Sequence, residues 1–112
     1  MPIQIWEAKG FENQKAVRYF QERRVSVQRI DLLRHSISRR ELESICAQVG
    51  LEALIDRQGR AFAESTIRFS NDEALIFQAL LDHPRLLGSP IVRCGKLATV
   101  GYHPEIWDTW PK

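Results

Sequence analysis

The stretch Ile3-Gln4-Ile5-Trp6-Glu7-Ala8-Lys9-Gly10-Phe11-Glu12-Asn13-Gln14-Lys15-Ala16-Val17-Arg18-Tyr19-Phe20 decides how this chain is read. Its first four residues are apolar and β-rich, as in a short strand near the centre of a sheet. Residues 7–13 carry Gly10 and several polar side chains and read as a loop. Ala16, Val17 and Phe20 then give the inward face of a helix over about 12–23, with Glu12 or Asn13 as its cap. Strand, tight loop and helix together form a common site for anion or redox chemistry, because the first N–H groups of a helix are unpaired and face the loop.

Working outward, residues 25–31 alternate and read as a second strand, which makes a βαβ unit with a parallel pair. Ser38-Arg39-Arg40-Glu41 fits a capping box. The helix behind it has Leu42, Ile45, Cys46 and Val49 on one face and ends at Gly50, which makes Cys46 a packed thiol. Short helical pieces are expected at 51–55 and 60–65. Ser70-Asn71-Asp72-Glu73 reads as a second capping box. The helix it opens is apolar almost all round as far as Asp82, and such a helix should lie deep against the sheet.

Beyond Pro84, a third strand begins at Pro90. Cys94-Gly95-Lys96 is a turn, so Cys94 is expected to be exposed on an outer strand, and residues 97–100 pair back as a hairpin. Pro104 starts a last helix packed by Ile106, Trp107 and Trp110. Trp6 lies close to the first loop, where it could wall a pocket. The order βαβ, helical middle, ββα implies one α/β domain over 1–112 with a four-stranded mixed sheet, thioredoxin-like and of glutaredoxin type, carrying a helical insertion at about 36–83.

Composition bounds the function. The chain has 112 residues, long enough for one core, and a formal charge of +2, too small to argue for direct nucleic-acid binding. Twelve of its sixteen basic residues are arginine, and the doublets Arg23-Arg24 and Arg39-Arg40 are either solvated faces or a patch for an acidic partner. Cys46 and Cys94 make no disulfide framework, and with His35, His83 and His103 they show no zinc spacing. No signal segment or membrane-length apolar run is visible, so a reduced, cytoplasmic protein is expected. Combinations such as Asp31, His35 and Ser36 lie too close in sequence to make a catalytic triad.

Four segments, in order, resemble the arsenate reductase/Spx family. They are His83-Pro84-Arg85-Leu86-Leu87-Gly88-Ser89-Pro90-Ile91-Val92, Val100-Gly101-Tyr102-His103-Pro104-Glu105-Ile106, Leu54-Ile55-Asp56-Arg57-Gln58-Gly59-Arg60-Ala61-Phe62, and Lys15-Ala16. The resemblance implies a thioredoxin fold and a cis Ser89–Pro90 bond facing the first loop. It also implies one of two activities: arsenate reduction through a loop cysteine, linked to glutathione or glutaredoxin, or, in the Spx branch, regulation of transcription through RNA polymerase.

The departures from the family are concentrated at the chemistry. Counting back from Lys15-Ala16, the nucleophilic cysteine falls at Gly10 and the second cysteine at Asn13. Ser89 replaces the basic residue before the proline, Arg57 adjoins the expected arginine position, which Gln58 occupies, and Gly101 and Tyr102 do not match the arginine near the last strand. A thiolate is the nucleophile in such a reaction, and glycine cannot replace it. The expectation is therefore a cofactor-free pseudoenzyme that binds a protein or small molecule. Its vestigial loop is Lys9, Gly10, Phe11, Glu12 and Asn13, with Ser89 and Pro90 facing it and Arg57 as a residual anion contact. The alternatives are a glutathione-linked reductase and an Spx-like regulator.

Overall fold

A computed structural model describes residues 3–111. Four strands form one sheet in the order β2-β1-β3-β4. The central strand β1 (Ile3–Glu7) runs parallel to β2 (Val27–Asp31) and antiparallel to β3 (Ile91–Cys94), and β3 pairs antiparallel with β4 (Leu97–Val100). The sequence is thus folded as the expected mixed α/β sheet, with α1 (Phe11–Glu22) making the crossover between β1 and β2.

Alternation along the strands divides the core in two. Ile3, Ile5, Val92 and Cys94 point to one face, where α1 and α6 (Pro104–Trp107) cover them with Ala16, Val17, Tyr19, Phe20 and Trp107. Trp6 and Ile91 point to the other face, against α2 (Arg39–Val49), α3 (Leu51–Leu54) and α5 (Glu73–Asp82). Both sides of β1 are covered, which is why Ile5 and Trp6, adjacent in sequence, are both buried. Trp6 is a core residue with the Arg93 guanidinium 5.2 Å from its ring centroid, and it is not among the residues lining the cavity at the first loop. Gln28, Gln4 and Arg93 stand side by side across three strands on that same face, with Gln4 bonded to both neighbours.

The capping box of α2 forms as read. The Ser38 hydroxyl accepts from the Glu41 N–H at 3.1 Å, and the Glu41 carboxylate accepts from the Ser38 N–H at 3.1 Å. The second box does not form. Asp72 caps α5 by accepting from the N–H groups of Ala74 and Leu75, while Ser70 only accepts from the Asp72 N–H. Nor does α5 lie deep. Only Ile76 and Leu80 are buried, and Leu75 is 52% exposed, because the helix packs through one stripe and its remaining apolar residues are surplus to it. α4 (Arg60–Ala63) and two short 3-10 turns complete the helical segment between β2 and β3.

Two further expectations change. Helix α1 begins at Phe11, with Gly10 in the capping position and no side-chain cap, so neither Glu12 nor Asn13 caps it. Cys94 is not exposed on an outer strand. It sits on the inner strand β3 at 1% exposure, opposite Ile3. Its place follows from the alternation with Val92, which continues up to the hairpin turn at Gly95.

Candidate functional site

Strand β1 delivers the chain to the first loop, and three backbone features fix that loop. The Leu32 N–H donates to the Glu7 carbonyl at 2.9 Å and ties the end of β1 to the end of β2. The Ala8 N–H donates to Asn13 Oδ1 at 2.9 Å. Gly10 takes φ 147° and ψ 164°, a conformation outside the range of residues with a side chain. A Cβ placed there would stand 3.4 Å from Asn13 Nδ2.

Asn13 ties the site together. It is 4% exposed, and its amide donates to Ser89 Oγ at 3.2 Å while its carbonyl oxygen holds Ala8. One side chain therefore joins the loop to the segment before β3, and its polar atoms are satisfied. The Ser89–Pro90 bond is cis and Pro90 is buried. The segment is anchored from its other side as well: the Gly88 N–H donates to the Leu54 carbonyl at 2.8 Å, and the Asp56 N–H to the Leu86 carbonyl at 2.9 Å.

Between these parts lies a cavity of about 430 Å³. The structure brings Lys9, Gly10, Phe11, Glu12, Asn13 and Ser89 together around it. Ala53, Ile55, Asp56, Gly88, Val100 and Gly101 supply the remaining walls. Arg57 does not join them. Its guanidinium is exposed and donates to the Glu52 carboxylate at 3.0 Å through Nε, and the neighbouring Asp56 lines the cavity in its place, with its carboxylate against Gly59. No sequence signal marked Asp56; its placement depends on the bonds that tie residues 54–56 to residues 86–88.

Charge in the cavity is mixed. Glu12 and Asp56 form no ion pair among the described residues, and Lys9 is the one cation among the lining residues. Beside the loop, Arg29 grips Glu7 through two bonds of 2.7 and 3.0 Å, and that carboxylate raises the Arg29 pKa further. Arg93 is likewise committed, to Gln4 and the Trp6 ring. At the rim, Phe11 is 73% exposed, and Lys15 Nζ lies 5.2 Å from its ring centroid and 5.6 Å from that of Tyr102.

The thiols lie elsewhere. Cys94 pairs in register with Ile3, at the opposite end of β1 from the loop. Cys46 is half-buried on α2, where burial first and the Glu73 carboxylate second push its pKa up. A larger groove of about 640 Å³ runs beside α5, lined by Ile67, Leu75 and Ala79 among others. It collects none of the residues singled out in the loop or at Pro90, so the smaller cavity is the candidate site.

The sequence model of the ArsC family matches residues 10–110. The chain is 30% identical over 111 residues to global transcriptional regulator Spx 2 of Oceanobacillus iheyensis, covering 94% of this chain and 80% of that protein. Among solved structures, it resembles an arsenate reductase from Vibrio cholerae, with TM-score 0.84, 25% identity, and coverage of 95% of this chain and 94% of that one. An arsenate reductase (ArsC) related protein from Brucella melitensis shares the fold at TM-score 0.71 and 19% identity, covering 98% of this chain and 94% of that one.

Proposed function

The chain belongs to the ArsC family, and we propose that it is a binding member of that family in which the loop cavity has lost reductase chemistry. The observation that carries this reading is the pair Gly10 and Asn13. Where the resemblance puts the nucleophile stands a glycine whose backbone has φ 147°, and where it puts a second cysteine stands an asparagine built into the loop by two hydrogen bonds. The loop is held in shape by Asn13, without any thiol.

The remaining thiols support the same reading. Cys94 is 1% exposed and on the wrong end of β1, and a raised pKa leaves Cys46 with less thiolate near neutrality than an ordinary cysteine. An arsenate dianion would also enter a lining that holds two acidic residues, Glu12 and Asp56, and a single lysine.

The test is arsenate reduction by the purified protein supplied with glutathione and glutaredoxin. No turnover above the protein-free rate is expected. Turnover that disappears in Cys46→Ser or Cys94→Ser would instead make the protein a glutathione-linked reductase.

The likeness to a global transcriptional regulator favours a second reading, in which the bound partner is RNA polymerase. Arg39 lies over the Phe77 ring, 5.6 Å from its centroid, and Arg40 is exposed, so α2 offers a basic end to such a partner. Co-purification with purified RNA polymerase, lost on combining Arg39→Glu with Arg40→Glu, is the expected result. Absence of any complex would remove this version.

A further inference from the structure

We infer that the loop cavity takes an arginine side chain presented by an extended segment of a protein partner. Taking the cavity as a binding site, as proposed above, three features choose the occupant. The first is size. About 430 Å³ lies near the lower end of the 300 to 1,000 Å³ of ligand pockets, and suits one long side chain rather than a folded element.

The second is charge. Glu12 and Asp56 line the cavity without ion-pair partners among the described residues, the Asp56 carboxylate lying towards Gly59, against one ammonium from Lys9. The N-terminus of α1 favours negative charge, but Glu12, in its first turn, already occupies that place. Glu12 Oε2 also reaches to 3.8 Å from where a Cβ on Gly101 would stand, which carries its carboxylate across the cavity to the end of β4. An incoming anion would be repelled by the Glu12 carboxylate and, from the wall, by that of Asp56; an incoming cation gains from both.

The third is the rim. Phe11, 73% exposed, already has one cation near its ring, Lys15, and keeps open surface for another. A guanidinium is the cation that both stacks on an aromatic face and forks onto carboxylates, whereas an ammonium does neither in one geometry. An exposed aromatic next to a charged pocket is also the composition of a protein-binding hot spot, which favours a protein segment over a free metabolite.

The experiment is a titration of isotopically labelled protein with a capped Gly-Gly-Arg-Gly-Gly peptide, read at the amide resonances of Gly10, Gly88 and Gly101. The same peptide with citrulline, the same peptide with glutamate, free arginine and inorganic phosphate serve as comparisons. The arginine peptide is expected to shift these resonances saturably, the neutral and acidic peptides little, and added salt to weaken the effect. Glu12→Gln combined with Asp56→Asn should weaken binding by about tenfold or more. Lys9→Gln, on an exposed loop position, should strengthen it and tests the charge argument should the double variant fold poorly. Unmoved cavity resonances, citrulline binding as tightly as arginine, or tighter binding of phosphate would overturn the inference. Free arginine binding as well as the peptide would overturn a protein segment as its source. Arsenate turnover by the wild type would defeat the binding reading itself, whereas an inactive protein with unmoved resonances defeats only the arginine.

Discussion

The two ends of the β1–β3 pair make opposite use of their residues. At one end β1 opens into Gly10 and Asn13, which meet Ser89 around a charged cavity that no thiol lines. At the other end Ile3 faces Cys94, a thiol sealed at 1% exposure among Tyr19, Phe20 and Trp107. The accessible end has no cysteine and the cysteine end has no access. Counting cysteines in this sequence therefore says nothing about reactivity, which depends on position along one strand pair.

The closed end should be much the more expensive to disturb. Trp107 is buried, its ring centroid is 5.1 Å from those of Tyr19 and Phe20, and its Nε1 donates to Thr99 Oγ1 at 2.8 Å. Trp107→Ala is expected to lower the unfolding free energy in urea by about 3 to 5 kcal/mol, through lost contacts and the cavity left behind. Phe11→Ala, at the open end, removes an exposed ring and should change stability by no more than about 0.5 kcal/mol. Equal effects would mean that the two ends do not differ in packing as described.

The same contrast governs what could be read from the sequence. The βαβ unit was legible because residues 3–6, 16–20 and 25–31 carry clear strand or helix periods. Cys94 was placed on the surface because a turn follows it, although its alternation with Val92 pointed inward; the local turn signal competed with the longer strand period. The surplus of apolar residues in α5 hid which stripe packs, since periodicity cannot choose a face when both are apolar. At the site, the loop and Pro90 were legible through resemblance. The pairing of Arg57 with Glu52 and the arrival of Asp56 in the cavity were not, because both depend on contacts between residues far apart in sequence.

A second probe of the closed end is alkaline pH. The Tyr19 hydroxyl is buried and donates to the Asp108 carboxylate; burial first and that hydrogen bond second raise its pKa from 10.0 to about 12. The unfolded chain loses this proton first, so the folded state binds more protons between pH 10 and 12. The stability from this group is present in full below pH 10 and is lost as pH rises towards 12. The loss should be on the order of 2 kcal/mol and should vanish in Tyr19→Phe. Cys46, raised from 9.0, acts with the same sign from a lower pH, so the comparison is made in Cys46→Ser. A wild-type slope identical to that of Tyr19→Phe would place the phenol in solvent.

A side chain at position 10 probes the open end itself. If Gly10 were only a cysteine exchanged for glycine, restoring a side chain would be neutral or stabilising, because it reduces the freedom of the unfolded chain. With φ at 147°, however, any side chain is strained, and its Cβ also approaches Asn13 Nδ2 to 3.4 Å. Gly10→Ala should therefore destabilise by roughly 1 to 2 kcal/mol. Gly10→Cys should cost a similar amount. Both would move the loop, so faster exchange of the Ala8 amide, which is held by Asn13, accompanies the loss. A Gly10→Ala protein as stable as the wild type, with the Ala8 amide still protected, would mean that the loop retains the backbone of a cysteine-bearing site. The departure from the family proposed above would then be one of side chain alone.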